Sequence, residues 1–355
     1  MSQAPVAQPR AVAAPESLPL WRLLQASAGV IAAVRAGESA TAAIARVEAS
    51  LRPGAQALAF QALRQLGRAE ALRQLLARRA PPPPADALLC TALALCWRDE
   101  GAPYEVFTLV DQAVEAAKRS GATKAQANFI NACLRRFLRE RQALVAATDD
   151  NPVARWNHPR WWIDRLKKDY PGHWQQILET NNTQPSLTLR VNAKKTTVAQ
   201  QLASLQHSGI AASPVGEHGL VLHRAMPVHA IPGFQEGLLS VQDAAAQLAA
   251  PLLLHGSQRV TPGGALRVLD ACAAPGGKTA HLLELSEAQV IALDISQARG
   301  ERIHETLRRL GLQAEVVIGD AAEPAGWWDG REFDAILLDA PCTASGIVRR
   351  HPDVR

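Results

Sequence analysis

A chain of 355 residues, 48% of them apolar, can bury two or three separate cores, so a single compact domain is not expected. The formal charge of +5 and a pI near 9.1 favour an anionic partner, for which nucleic acid is the commonest physical reason. Five cysteines, with no close pair at metal-ligand spacing, argue against a disulfide framework or a metal site and for a reducing compartment. No apolar run approaches the roughly 18–20 residues of a membrane span, and the first twenty residues lack a signal-peptide core, so a cytoplasmic protein is expected.

Residues 1–19, rich in Ala, Pro, Gln and Ser, cannot bury enough surface to offset chain entropy and are expected to be a disordered tail. Residues 20–150 read as an all-helical domain. The apolar positions recur at helical spacing in Leu63, Leu66, Leu72, Leu75 and Leu76, then Leu89, Leu93 and Cys96, then Val106, Val110, Val114 and Ala117, then Ile130, Leu134 and Phe137. Pro81 to Pro84 are expected to break this pattern between helices, with Gly121 as a later stop. Cys90, Cys96 and Cys133 lie on apolar faces, as small buried side chains do. Asn128, Asn131, Arg135 and Arg136 gather on the opposite side of the last helix, where they form a solvated face or an RNA contact.

Residues 151–240 read as a basic, aromatic linker followed by a small α+β module. Between Ala154 and Lys195 stand eight Lys/Arg against three acids, with Trp156, Trp161, Trp162 and Trp174. Such residues grip phosphates and stack on unpaired bases, or pin a linker helix to its neighbours. Leu187, Leu189 and Val191 alternate with Thr188, Arg190 and Asn192 as in a half-buried strand; a helix over Thr197–Ser208 and a strand over Gly219–Leu222 follow.

Residues 241–355 carry the chemistry. From Leu266 the order is strand, glycine loop, helix, strand (289–294), helix (297–310), strand (315–319) and strand (333–339), which implies right-handed crossovers and a parallel sheet. Asp270, Asp294, Asp320 and Asp339 fall at or just after the carboxyl ends of four strands. Gly276 and Gly277 allow close backbone approach to a ligand, Asp294 is placed for a ribose diol, and Asp320 for the exocyclic amine of adenine. Cys272 to Thr279 also comes close to a phosphate loop, with Asp339 as a magnesium-holding acid, which makes a nucleotide triphosphatase the rival reading. Cys272 stands where that loop begins with glycine, and the rival leaves Asp294 without work. A sulfonium nucleoside, S-adenosylmethionine, suits a loop ringed with carboxylates better.

These segments resemble the bacterial 16S rRNA cytosine-C5 methyltransferases of the RsmB (Sun, or Fmu) type. The matching motifs are Asn128–Phe137, Pro185–Asn192, Leu239–Asp243, Asp270–Lys278, Leu293-Asp294, Gly319-Asp320 and Asp339-Ala-Pro-Cys342 running on to Arg349–Asp353. The resemblance implies a helical NusB-like RNA-binding domain, the α+β linker module, and a Rossmann-like class I α/β methyltransferase domain. It also implies that Cys272, Ala273, Ala274, Pro275, Gly276, Gly277, Lys278, Asp294, Asp320 and Asp339 line the pocket for S-adenosylmethionine, and that 16S rRNA is the partner. In such enzymes a thiolate adds to cytosine C6, which makes C5 nucleophilic towards the sulfonium methyl; a base then removes the C5 proton and the thiol leaves. The family's RNA-modifying members use a Thr-Cys cysteine as nucleophile and the Pro-Cys cysteine, here Cys342, in product release. DNA C5-methyltransferases use their Pro-Cys thiol as the nucleophile, so both roles stay open for Cys342.

The Thr-Cys motif has no counterpart in these 355 residues, and the strand over 333–339 is the last one, which leaves an apolar sheet edge unpaired. The expectation is a member of the family shortened at its C-terminus, with an incomplete sheet and little or no turnover by itself. A non-enzymatic alternative is an RNA-binding protein of the antitermination kind with a vestigial methyltransferase segment.

Overall fold

The computed structural model describes residues 18–257, 265–343 and 345–355. Apart from residues 18 and 19, the expected tail lies outside the described residues. The chain packs as two units, one of residues up to Gln184 together with 344–355, the other of Pro185–Thr343. Residues 151–184 add helices to the first unit, and the α+β module shares the second unit with the parallel sheet.

The first unit contains α1 (Leu20–Arg35), α2 (Ala40–Ala45), α3 (Arg52–Leu63), α4 (Leu66–Leu76), α5 (Pro83–Cys96), α6 (Val106–Arg119), α7 (Ala127–Ala146), α8 (Pro152–Trp156), α9 (Arg160–Asp169) and α10 (Trp174–Asn181). Helix α5 is its centre. Ala85 and every residue from Ala87 to Cys96 are buried, as befits a helix that is apolar all round, and α1, α3, α4 and α6 pack against it. The prolines separate α4 from α5 as expected: Pro81 and Pro82 precede the helix, and Pro83 and Pro84 form its first turn, where the missing N–H has no intrahelical partner to lose. Asp86 in that turn is held by Arg35 at 2.9 Å and Arg73 at 3.0 Å.

Residues 345–355 pack on these helices. The Asp353 carboxylate accepts the Ala40 N–H at 2.8 Å. The Arg355 guanidinium donates to the Leu63 carbonyl (3.1 Å), the Asn181 carbonyl (3.1 Å) and Asn182 Oδ1 (2.8 Å), so it caps the carboxyl ends of α3 and α10, where cations are favoured.

The second unit opens with β1 (Leu187–Val191), α11 (Val198–His207), β2 (Ala212–Val215), β3 (Gly219–Leu222) and β4 (Leu239–Val241). These strands form an antiparallel sheet in the order β2-β3-β1-β4. Thr197 and Gln200 close a capping box at the start of α11, which accounts for that helix beginning where it does. Alternation along β1 predicts one wet face, but Thr188, Arg190 and Asn192 are as buried as Leu189 and Val191. The reason is tertiary, because the polar face of β1 meets side chains from distant parts of the chain.

There follow α12 (Ala249–Ser257), β5 (Arg267–Ala271), α13 (Gly277–Leu285), β6 (Gln289–Asp294), α14 (Gln297–Leu310), β7 (Glu315–Ile318) and β8 (Ala335–Leu338). The strands are parallel in the order β7-β6-β5-β8. The chain therefore steps outward from β5 to β7, then returns to the other side of β5. One sheet face, with Val268, Val290, Ala292 and Leu337, packs on α12, α13 and α14. The other, with Leu269, Ala271, Ile291 and Leu293, meets Trp327 and Phe333. At the β8 edge Ile336 and Leu338 are 57% and 65% exposed.

Phe137 on α7 is fully buried in the helical core. Phe137→Ala is expected to cost roughly 3–5 kcal/mol, read from a denaturant melt of the helical signal in far-UV circular dichroism. A loss below about 1 kcal/mol would show that the core around α5 and α7 is not packed as described.

Candidate active site

The loop after β5 turns sharply into α13. Cys272 adopts a left-handed φ of 63° and Gly276 one of 91°, and the Ala274–Pro275 peptide is cis. A Cβ on Gly276 would lie 3.2 Å from the backbone of Ile303 on α14, so both its backbone angle and its packing call for glycine. Cys272, by contrast, holds a side chain in the region that costs most residues about 1–2 kcal/mol. The turn is fastened by the Ala273 N–H to the Leu293 carbonyl (3.0 Å), the Gly276 N–H to the Ala273 carbonyl (2.7 Å) and Thr306 Oγ1 to the Pro275 carbonyl (2.7 Å). No side chain caps α13 at its N-cap; the Thr279 N–H faces the Asp270 carboxylate, and the Gly277 and Lys278 N–H groups are left to water or ligand.

The four strand-end acids divide into two kinds. Asp270 is fully buried; its Oδ2 accepts Thr279 Oγ1 at 2.5 Å and its Oδ1 has no partner. Burial pushes its carboxyl up to about 6, against the Thr279 hydrogen bond and the Lys278 charge. Asp294 is also buried. Its Oδ2 accepts the Ala274 N–H at 3.1 Å and pairs with Arg299 at 3.3 Å, while Oδ1 accepts the Ser296 N–H at 3.4 Å. Asp294 thus shapes the glycine loop as well as facing it. Asp320 and Asp339 are exposed. Asp320 Oδ1 accepts the Ala322 N–H at 2.8 Å, and Asp339 pairs closely with Lys278, joining the glycine loop to the end of β8.

Cys342 lies exposed just beyond that pair. Burial, together with the nearby Asp294 carboxylate, pushes the Cys272 thiol up, so it stays protonated near neutral pH and has the character of a loop residue, not of a nucleophile. Cys90 and Cys96 are buried in the helical core, where burial pushes their thiols up to about 11 and about 12; Cys133 is buried likewise.

Thr279, Arg299, Arg190 and Glu284 escaped the sequence reading as site residues. Thr279 and Arg299 sit close in sequence to the motifs they support. Arg190 and Glu284 carry no local signal, since they meet across 94 residues.

The residue set fits a cationic nucleoside better than a triphosphate. Asp270, Asp294 and Asp339 surround the loop, while Lys278 and Arg299 are engaged by two of those acids. Added phosphates would meet like charge at close range. Among the described residues no group of three His, Cys, Asp or Glu is placed to hold a metal ion, and no helix is long and apolar enough to cross a membrane.

In the helical unit, Asn128, Arg135 and Arg139 are exposed along α7. The tryptophans act mainly as packing: Trp156 meets Trp174 edge-on at 5.0 Å, and Trp162 is buried beneath Trp161. Trp161 is 67% exposed.

Comparison with known proteins joins these observations. The family profile of the 16S rRNA methyltransferases RsmB/F matches residues 259–355, the ferredoxin-like domain of RsmF/B-like methyltransferases matches 158–229, and the NusB family matches 27–139. Ribosomal RNA small subunit methyltransferase B of Vibrio cholerae is 38% identical over 337 residues, covering 93% of this chain and 76% of its own length. The proteins of that name from Pseudomonas syringae and Pseudomonas putida are 46% and 47% identical over 231 residues, covering 64% of this chain and about half of their own lengths. The crystal structure of PH0851 superposes with a TM-score of 0.66 at 21% identity, covering 95% of this chain and 78% of that one, a likeness of fold alone. On the sequence match across most of its length, the chain belongs to the RsmB/F family of 16S rRNA methyltransferases.

Proposed function

We propose that the crevice at the carboxyl ends of β5, β6 and β8 binds S-adenosylmethionine, and that the protein methylates C5 of a cytosine in 16S rRNA. The observation that carries this reading is the position of the loop Cys272–Lys278 beside Asp294 and Asp339 where the strand order reverses, the place at which open parallel sheets bind nucleotides. The cofactor supplies an electrophilic methyl group. Gly276 and Gly277 bring backbone within reach of it, and Cys272, Ala273, Ala274 and Pro275 form the wall of the turn. Asp294 is the partner for a ribose diol, with Arg299, 44% exposed at its side chain, free to swing towards solvent as hydroxyls replace it. Asp320 beyond β7 is the acceptor for the adenine amine. Lys278 holds Asp339 at the mouth of the site, where its carboxylate would favour the positive charge of a bound sulfonium.

Cys342, three residues past Asp339, is the thiol this segment offers to the cytosine. Its role in releasing product follows the family's pattern; that of nucleophile follows the DNA-modifying enzymes. The RNA contact is assigned to the exposed Asn128, Arg135 and Arg139 of α7, with Trp161 as a stacking platform.

Asp270 acts through Thr279. The two tie the end of β5 to the first turn of α13, and so set the span of the loop between them. Because the folded-state pKa, about 6, lies above the ordinary value of 3.8, the folded chain holds the proton more tightly than the unfolded one. This contribution is fully present below about pH 3.8 and is lost as pH rises through about 6.

Asp270→Asn is therefore expected to abolish a fall in stability between pH 4 and pH 6.5 that the wild type shows, a difference on the order of 2–3 kcal/mol at neutral pH. Melting curves across that range check it, and superimposable pH profiles would refute it. Calorimetric titration with S-adenosylmethionine is expected to show binding that Asp294→Ala weakens by about tenfold or more, with no binding of ATP-magnesium; the reverse ligand preference would return the site to the phosphate-loop reading. Replacing Arg135 and Arg139 together by Ala is expected to weaken binding of a 16S rRNA hairpin and to lower the salt dependence by roughly one to two phosphate contacts. An unchanged salt slope would remove α7 from the RNA interface.

A further inference from the structure

The guanidinium of Arg190 on β1 is completely buried. Its Nε and Nη2 donate to the two carboxylate oxygens of Glu284 at 2.8 Å each. Its Nη1 donates to Gln242 Oε1 at 2.6 Å and to the Gly277 carbonyl at 2.8 Å. Gly277 is the first residue of α13 and Glu284 stands in its last turn. One side chain of the antiparallel sheet thereby grips both ends of the helix that opens with the glycine loop. The grip is possible because helical side chains tilt towards the amino terminus, which brings the Glu284 carboxylate back to the fork that also reaches Gly277.

The surroundings leave this role to Arg190. His281, one turn before Glu284, is buried with neither ring nitrogen partnered; burial and the Arg190 charge keep it neutral, so it does not compete for the carboxylate. Gln242 is held over the loop as well: a Cβ on Gly277 would come within 4.0 Å of its side-chain nitrogen. Lysine could not substitute, because a single ammonium cannot present a bidentate face to Glu284 and a separate donor to Gly277.

We infer that Arg190 is a positioning residue for cofactor binding: the α+β module fixes the Gly277 end of the glycine loop through this guanidinium and so sets the loop's geometry. The inference rests on the reading of that loop as the S-adenosylmethionine site, and predicts that cofactor affinity depends on a side chain that does not touch the cofactor. The full 355-residue chain, wild type and Arg190→Lys, Gln242→Leu and Glu284→Gln, is to be followed by hydrogen exchange in peptides covering residues 272–280 and by titration with S-adenosylhomocysteine. Arg190→Lys and Gln242→Leu are expected to raise exchange in those peptides and to weaken binding by about tenfold, while peptides of α11 and of the helical unit keep their protection. Glu284→Gln, which retains the Gly277 contact, is expected to affect binding less than Arg190→Lys for a comparable fall in melting temperature. Loss of protection spread evenly over the second unit, with affinity falling in step with melting temperature, would overturn the inference and leave Arg190 a structural residue. Should Arg190→Lys fail to fold, the double variant Arg190→Met with Glu284→Leu decides, because it replaces the buried pair by apolar side chains and removes the Gly277 contact. A wild type that binds no S-adenosylhomocysteine would refute the cofactor reading, and unchanged exchange at 272–280 in the folded Arg190→Lys or in the double variant would refute the positioning role whatever the ligand.

Discussion

β5 has a parallel neighbour on each side, β6 by one route and β8 by another. A chain that winds outward through β6 and β7 and then crosses back must send the loops after β5 and β8 apart, and the gap between them cannot be filled by either crossover. The fold thus builds a crevice without needing any particular residue to line it. What the residues contribute is its shape. Gly276 lets α13 start directly against Ile303, and Asp270, buried at the end of β5, fastens the far side of the turn through Thr279. Neither could be exposed without opening the crevice they define.

The acids at the strand ends show how charge is divided between structure and chemistry. Asp270 and Asp294 are sealed in and hydrogen-bonded to the loop that they shape. Asp320 and Asp339 remain exposed, with carboxylates that a ligand can reach. Burial makes Asp270 expensive to ionise and therefore dependent on its partners.

A buried ion pair such as Arg190–Glu284 is a poor source of net stability, because desolvation of both groups offsets most of their attraction. Its value lies in directionality. Apolar contacts between the antiparallel sheet and α13 would tolerate small shifts, whereas four hydrogen bonds from one planar guanidinium to three separate residues do not. The two sheets of the second unit are built on separate apolar clusters, and this polar contact supplies the register that their cores leave open.

Local pattern and motif were enough to read the helical front, the parallel sheet with its four strands in sequence order, the glycine loop and the acids that follow each strand. These features repeat at the 3.6-residue or two-residue period of the backbone, or lie within a few residues of the turn that requires them, so short stretches of chain carry the whole signal. Tertiary structure alone decided the rest. Arg190 occupies a position that alternation marks as solvent-facing, and its burial depends on acceptors 52, 87 and 94 residues away, at Gln242, Gly277 and Glu284. Asp294 looks in sequence like a residue waiting for a ligand, yet folding brings the Ala274 N–H and Arg299 to it first. Residues 345–355 lie within the stretch matched to the methyltransferase family yet pack on the helices, where the carbonyl ends of α3 and α10 offer Arg355 the acceptors it needs. Where a charged group goes depends on which partners folding brings within hydrogen-bonding distance, and a linear pattern holds no record of such distances.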